Sequence, residues 1–396
     1  MHTSPLAQPG TGDGGGMNVY VSELAAALAR AGVECDVYTR SYRPDLEPVV
    51  RVEPGLRVHH VPAGPLGEVE KEDLPGLFDE FTAGVLARIR ATGGADAVHA
   101  NYWLSGIAGH AIKHELDLPL VSTFHTLARV KAEGDVEPER RAAAEARIMG
   151  CSDAVLASCT VEAHQIHELY GADPDRIEIV APGVDHAFFS PGHRPQARRA
   201  LGLPEAGKML LFVGRIQPLK GLDVAVETLA HLDRPDTFLV VVGGPSGAQG
   251  SAEVDRIKKL VADRGLVDRV RFVPPQRHEL LSTYYRAADV CLVPSRSESF
   301  GLVALEAAAC GTPVVASAVG GLRTLVDHGQ TGFLVVGRQP DAFAAFTAEL
   351  LENPGVATRM SERAAQRARQ YTWSVAGARL RRLYADLTSR TLVECP

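Results

Sequence analysis

The feature that most restricts this chain is a repeated change of period. Short apolar runs rich in β-branched residues alternate with amphipathic stretches of helical spacing, and strand-helix-strand units of that kind build parallel sheets covered by helices. Runs at 33–38, 56–61, 97–100, 118–123, 154–158 and 177–180 read as strands, with helices over 18–30, 74–91, 105–114, 137–149 and 160–170 between them. The pattern breaks at Ala181-Pro182-Gly183-Val184-Asp185 and Ser190-Pro191-Gly192, then restarts. A second series of strands follows at 208–213, 238–242, 270–273, 290–293, 313–316 and 333–335. The expected fold class is α/β, with two doubly wound Rossmann-like domains. Their expected ranges are residues 1–184 and 185–365, followed by a helical, arginine-rich tail, 366–396, that packs back toward the first domain. Such sheets bind ligands at the carboxyl ends of their strands, so two facing domains are expected to hold a ligand in the cleft between them.

A chain of 396 residues is long enough for two separate cores. Forty-one Lys and Arg against 48 Asp and Glu give a net charge of −7, which leaves no global positive field for nucleic acid or anionic lipid. Any phosphate must then be held by local groups. Nowhere is there an apolar stretch of about 20 residues, and no basic segment precedes an apolar one at the amino terminus. No membrane span or signal peptide is expected, and the expected compartment is cytoplasmic. The six cysteines, Cys35, Cys151, Cys159, Cys291, Cys310 and Cys395, show no CxxC and no spacing paired with histidine that suggests a metal. They read as small buried hydrophobes in a reducing compartment.

Three segments carry chemistry suited to a phosphorylated sugar. Gly10-Thr-Gly-Asp-Gly-Gly-Gly16 contains GxGxxG (Gly10, Gly12, Gly15) ahead of a helix, and such a loop presents backbone N–H groups to phosphate. A dinucleotide fingerprint needs a strand directly before the glycines, whereas only a short segment precedes these, so a flexible glycine-rich loop stays open as a reading. Phe212-Val-Gly-Arg215-Ile-Gln-Pro-Leu-Lys220-Gly221 ends a strand and sets two cations before a helix, an arrangement suited to a diphosphate leaving group. Glu298-Ser-Phe-Gly-Leu-Val-Ala-Leu-Glu306 places one carboxylate at a loop mouth and a second within the following helix, where they accept hydrogen bonds from sugar hydroxyls. Each segment alone also fits an ordinary solvated surface.

Arg215, Lys220, the Glu298 and Glu306 pair and Cys310-Gly-Thr-Pro-Val-Val315 together resemble the retaining GT-B glycosyltransferases that use nucleotide sugars, over nearly the whole chain. The segments His2-Thr-Ser-Pro-Leu6, Gln8-Pro9, Gly10 to Val19, Asn101-Tyr-Trp-Leu-Ser-Gly106 and His125-Thr-Leu127 are most similar to the D-inositol-3-phosphate glycosyltransferase branch of that family. That branch acts in mycothiol biosynthesis, moving N-acetylglucosamine from UDP-GlcNAc to 1D-myo-inositol 3-phosphate. The resemblance implies donor contacts at Gln8, Pro9, Gly16, Arg215, Lys220, Gln276, Glu298 and Glu306. On the acceptor side it implies His2, Asp13, Gly14, Gly15, Gly16, Met17 and Asn18, with Lys71, Tyr102, Thr126 and Arg141 around the inositol phosphate. It implies a structural Mg2+ at Tyr285, Arg286, Ala288 and Thr312, with no cofactor needed for the chemistry, and a homodimer. The sequence differs from the branch in two ways: Gly14 stands where a serine is usual, and the family's first strand would lie upstream of the His2 to Leu6 segment.

The expected chemistry uses no covalent nucleophile. Arg215 and Lys220 stabilise the departing UDP, Glu298 and His125 orient the donor sugar, and the leaving phosphate helps deprotonate the incoming hydroxyl on the same face. Three other readings compete. One is a sister transferase acting on another cyclitol or sugar. Another is a UDP-GlcNAc epimerase of the same two-domain build. The third is a nicotinamide-dependent oxidoreductase in which Glu34 or Asp36 reads a ribose.

Overall fold

The computed structural model describes residues 1, 3–10, 12, 14–67, 69, 73–131, 139–247 and 250–395. His2, Asp13 and Lys71, expected on the acceptor side, lie outside the described residues. The chain folds into two compact units. The first comprises Met1–Leu6, Met17–Pro182 and Trp373–Pro396, and the second Ala7–Gly16 and Gly183–Thr372. The glycine-rich segment thus belongs with the second unit, whereas residues 1–184 were expected to stay together.

In the first unit the strands are β1 (Cys35–Ser41), β2 (Val49–Glu53), β3 (Leu56–Pro62), β4 (Val98–Asn101), β5 (Leu120–Thr123), β6 (Ala154–Ala157) and β7 (Ile177–Ile179). They pair as two sheets, ordered β1-β3-β2 and β4-β5-β6-β7. The second of these is parallel throughout, and β5 and β6 are buried at every position, as strands under helices on both faces must be. β2 was not expected. It pairs antiparallel with β3 at a largely exposed edge, so Val-Val-Arg-Val-Glu shows neither a buried run nor a clean alternation.

β1 and β4 each end their sheet, and among the described residues Met1–Leu6 contributes no strand. That segment is held by other means. Met1 packs with Val61, Phe81, Val85 and Ile112, the Thr39 hydroxyl donates to the Thr3 carbonyl at 3.2 Å, and buried Asn18 donates to Thr3 Oγ1 at 2.8 Å and to the Ser4 carbonyl at 2.5 Å. Side-chain donors here do part of what a sheet ladder does elsewhere. The carboxyl-terminal helix Trp373–Leu387 packs on this unit, with Trp373 edge-on to Tyr20 at 5.8 Å and Tyr384 Oη 2.8 Å from His99 Nδ1.

The second unit contains β8 (Lys208–Val213), β9 (Thr237–Val242), β10 (Val270–Val273), β11 (Val290–Val293), β12 (Val314–Ser317) and β13 (Gly332–Val335). All six pair in parallel, in the order β10-β9-β8-β11-β12-β13. Counted along the chain this is 3-2-1-4-5-6, the doubly wound order that reverses direction between its first and fourth strands. Leu210, Phe212, Leu239, Val241, Leu292 and Val315 fill the centre with Leu222, Val226 and Phe343 from the covering helices. Each such side chain contributes about 1.5–3 kcal/mol on leaving water. At the start of β11 the buried Asp289 accepts from Arg198 at 2.6 Å, Arg194 at 3.0 Å and the Met209 amide at 2.8 Å, so its charge is compensated.

The cysteines depart from expectation. Cys159, Cys291 and Cys310 are buried and Cys35 is half-buried, all four outside any disulfide, but Cys151 and Cys395, 244 residues apart, are joined as a disulfide. Among the described residues no helix is long and apolar enough to cross a membrane.

Candidate active site

The reversal between β8 and β11 is where a doubly wound sheet opens a crevice, and the two loops leaving those strands carry the charged residues singled out above. Arg215 and Lys220 follow β8, and Glu298 follows β11. Lys220 Nζ donates to Glu298 Oε2 at 2.7 Å, and the two side chains retain 23% and 18% exposure. The Arg296 amide donates to the Leu219 carbonyl at 2.8 Å, which ties the loops together at the backbone. Behind Glu298, the Gly321 amide donates to its carbonyl at 3.0 Å. The neighbouring Gly320 has φ +45°, and a Cβ there would lie 1.8 Å from that carbonyl oxygen, so only glycine allows this approach.

Arg215 Nη1 donates to Ser246 Oγ, in the loop after β9, at 3.1 Å. The glycine loop lies against the same guanidinium, for a Cβ on Gly15 would come within 3.2 Å of Arg215 Nε. The loop is closed on itself by the Gly10 amide donating to the Gly14 carbonyl at 2.9 Å. Gln8 Nε2 donates to the Pro275 carbonyl at 3.0 Å and Gln276 Nε2 to the Pro274 carbonyl at 2.9 Å, both just after β10. Gln8, Pro9, Gly14, Gly15 and Gly16 therefore belong to the unit that carries Arg215, Lys220, Gln276 and Glu298. Gly14 and Gly15, expected on the acceptor side, and Gly16, expected to contact both donor and acceptor, are thus in the second unit. Met17 and Asn18 lie in the first unit.

The oxidoreductase reading does not survive this placement. Asp36 is on β1 in the other unit, with its carboxylate 2.6 Å from Arg57 Nε and 2.7 Å from His59 Nε2, and Glu34 lies 3.6 Å from Arg57. A ribose-reading acid must follow the strand and glycine turn of its own domain.

Glu306 is on the helix Leu302–Ala309 and is buried. Its Oε1 meets His278 Nε2 at 2.7 Å, and its Oε2 accepts from Tyr285 Oη at 2.7 Å. Burial, reinforced by Glu306 itself, raises the Tyr285 phenol well above its ordinary range, so Tyr285 is a permanent donor. Neither grip on Glu306 was read from sequence, where Tyr285 stood as a magnesium position.

Two of those four positions have backbone carbonyls already engaged in hydrogen bonds. The Tyr285 carbonyl accepts from Thr312 Oγ1 at 2.6 Å and the Ala288 amide at 3.1 Å, and the Ala288 carbonyl accepts from Arg194 at 3.1 Å. The Arg286 guanidinium donates to the Ser190 and Phe188 carbonyls. No carboxylate is among the four, so a magnesium ion held there would rest on backbone carbonyls.

In the first unit, backbone strain gathers at the carboxyl ends of adjacent strands. Tyr102 follows β4 with φ 76°, and His125 lies two residues past β5 with φ 62°, conformations that cost about 1–3 kcal/mol each and persist only where the surroundings hold them. The holders are visible. The Tyr102 amide donates to the Thr123 carbonyl at 2.7 Å, and His125 Nε2 lies 2.8 Å from Asn101 Oδ1 with the Tyr20 ring edge-on at 4.8 Å. Burial, then His99, lowers the His125 pKa to about 3, and burial lowers His99 to about 4, so both imidazoles are neutral at ordinary pH.

Tyr102, Thr126 and Arg141 come together as expected. Arg141 Nη2 donates to the Thr126 carbonyl at 2.7 Å and to its hydroxyl at 3.0 Å, and its guanidinium lies 5.1 Å from the centre of the Tyr102 ring. Arg141 is not an open cation, however. Its Nε donates to Glu145 Oε1 at 2.8 Å, and the two side chains are 4% and 0% exposed. Glu145, four residues on along one helix face, also accepts from the Ala128 amide at 2.9 Å and from the Tyr170 hydroxyl. It is a site residue that its i,i+4 spacing from Arg141 signals.

Known proteins are similar to this chain in sequence and in fold. Residues 15–183 match the family described as Glycosyl transferase 4-like domain, and residues 193–367 that described as Glycosyl transferases group 1. The D-inositol 3-phosphate glycosyltransferase of Acidothermus cellulolyticus is 48% identical over 386 residues, spanning 94% of this chain and 86% of its own length. That of Xylanimonas cellulosilytica is 49% identical over 403 residues, spanning 98% of this chain and 96% of its own. Among solved structures, sucrose-phosphate synthase from Thermosynechococcus elongatus gives a TM-score of 0.92 at 33% identity, over 98% of this chain and 97% of the other. Anabaena Alr3699/HepE, solved in complex with UDP and glucose, gives 0.80 at 19% identity over 96% and 98%, a likeness of fold. With its GT-B build of two Rossmann-like units, the chain belongs to the D-inositol 3-phosphate glycosyltransferase family.

Proposed function

We propose that this chain transfers N-acetylglucosamine from UDP-GlcNAc to 1D-myo-inositol 3-phosphate with retention at the anomeric carbon, the sugar-transfer step of mycothiol biosynthesis. The observation that carries the proposal is the Lys220–Glu298 contact at the strand reversal of the second unit, with Arg215 on the same loop as Lys220, in a chain 48% identical to a D-inositol 3-phosphate glycosyltransferase. Arg215 and Lys220 hold the diphosphate, whose charge grows as the bond from the anomeric carbon to phosphate oxygen breaks. Glu298 accepts from a hydroxyl of the donor sugar. The oxygens of Glu306, gripped by His278 and Tyr285, have lone pairs left for the ribose hydroxyls, and Gln8, Pro9, Gly16 and Gln276 complete the nucleotide side.

On the acceptor side stand Tyr102 and Thr126, and the family resemblance adds His2, Asp13 and Lys71 to its contacts. Because Glu145 balances Arg141, this arginine positions Thr126 and the Tyr102 ring, and the positive charge facing the acceptor phosphate falls to Lys71. The acceptor oxygen bonds to the anomeric carbon on the face that UDP leaves, and its proton passes to the departing phosphate oxygen. Neutral His125 positions the donor sugar and takes no proton. NMR of the product tests this. An α-linked GlcNAc-inositol phosphate supports it, whereas a β-linked product, a trapped glycosyl-enzyme adduct, or epimerised donor formed without acceptor contradicts it.

A further inference from the structure

The helix Trp103–Leu116 carries His110 and His114 one turn apart, on one face. Cys151 ends the helix Glu139–Cys151, and Cys395 lies in the carboxyl-terminal tail. These three separate segments bring two imidazole nitrogens and two sulfurs within 4.8 Å of one another. His114 Nε2 is 3.0 Å and His110 Nε2 is 3.7 Å from Cys395 Sγ, and the two rings meet edge-on with centres 4.7 Å apart. Zinc bonds of about 2.3 Å to sulfur and about 2.0–2.1 Å to nitrogen place tetrahedral S and N ligands about 3.5 Å from each other. The observed spacings straddle that value.

We propose that, with its cysteines reduced, the chain binds one zinc ion through His110, His114, Cys151 and Cys395. The tail is already fixed for it. Asp153 accepts the Val393 amide at 2.7 Å through Oδ1, and through Oδ2 the Leu120 amide and Lys113 Nζ, each at 2.7 Å, so the one nearby lysine on the His110 helix is neutralised. Among the described residues neither imidazole has a hydrogen-bond partner other than the Cys395 sulfur. A disulfide accounts for two of the four groups. It leaves the convergence of both histidines on the same sulfur without a cause.

The chemistry balances. A phosphine reductant supplies two electrons, which with two protons return the disulfide to two thiols. Zn2+ then displaces both thiol protons, and two thiolates with two neutral imidazoles give a site of zero net charge. Two nitrogens and two sulfurs in a closed tetrahedral set are the donors of structural zinc, and with no open position the site holds structure and does no catalysis. Its effect is to staple the chain end to the first unit across 244 residues.

The test uses the untagged full chain, purified under a phosphine reductant, loaded with Zn2+ or Co2+ and freed of excess metal. The expected results are one metal per chain, a thiolate-to-cobalt charge-transfer band with the visible spectrum of tetrahedral cobalt, and a higher Tm with metal. Cys395→Ser lies in the tail and His114→Ala is exposed, so both should fold, and each should weaken binding by about tenfold or more. A chain with titratable thiols that takes up no metal overturns the proposal. So does a Cys151–Cys395 disulfide that persists when reductant and metal are supplied together, or binding that is unchanged in His110→Ala/His114→Ala.

Discussion

Replacing Lys220 with methionine separates its two roles. In the structure its ammonium lies 2.7 Å from Glu298, an attraction of about 6 kcal/mol at an effective dielectric of about 20. Both groups are nevertheless partly solvated, at 23% and 18% exposure, so desolvation and side-chain ordering leave a net contribution near 1 kcal/mol. Lys220→Met should therefore lower Tm by only about 2–4 °C. Catalysis responds far more, because the cation faces charge that grows in the transition state. Loss of one preorganised stabiliser of that kind lowers kcat by about 10²–10³-fold, or about 3–4 kcal/mol. KM for UDP-GlcNAc should move much less, since the ground-state diphosphate keeps Arg215. The assay is steady-state UDP release at saturating acceptor beside thermal unfolding of the same preparation. A variant whose kcat stays within about threefold of the parent while Tm falls as expected would make Lys220 a counter-ion for Glu298 and refute the assignment.

Other perturbations follow from the same geometry. Glu145→Gln leaves the Arg141 guanidinium, 4% exposed, without its counter-charge, and should lower unfolding free energy by about 3–5 kcal/mol in denaturant titrations; a loss under about 1 kcal/mol would sink the buried-pair reading. Gly15→Ala puts a Cβ 3.2 Å from Arg215 Nε and should reduce kcat/KM for the donor about tenfold with Tm unchanged, whereas parent-like kinetics would detach the glycine loop from the donor site. His99 and His125 have folded pKa values of about 4 and about 3, below the unfolded value of about 6.5, so the unfolded chain takes up protons that the folded chain refuses. Their stabilisation is complete above about pH 6.5 and is lost as pH falls toward 4 and 3. His99→Gln should flatten that acid limb in Tm measured against pH, and an unchanged limb would show that other groups cause it.

Strand positions were legible where burial was complete. β8, β9, β11 and β12 are apolar runs because helices cover both faces of their sheet, and each lies within a residue of its expected place. β2 escaped because an exposed antiparallel edge has no reason to be apolar. In the site, Arg215 and Lys220 were legible from the strand-loop-helix around them, but the meeting of Lys220 with Glu298 depends on the 3-2-1-4-5-6 strand order, which local pattern does not encode. The resemblance sets Arg141 at the inositol phosphate but does not reveal Glu145 beside it, because sequence shows a charge without showing what it faces. The His110, His114, Cys151 and Cys395 cluster was passed over for a related reason. The His-x3-His spacing is visible on its helix, whereas its sulfur partners lie on two other segments, one of them 244 residues past the other.

The most direct test of the transferase assignment is the rate of UDP release from UDP-GlcNAc by the purified chain with 1D-myo-inositol 3-phosphate, with free inositol, and with no acceptor, products being resolved by mass. Release matched one-for-one by a GlcNAc-inositol-phosphate product, with the phosphorylated acceptor strongly preferred, is the predicted result. Binding of UDP-GlcNAc without transfer to inositol 3-phosphate, or equal turnover with free inositol, would contradict the acceptor assigned to Tyr102, Thr126 and Lys71.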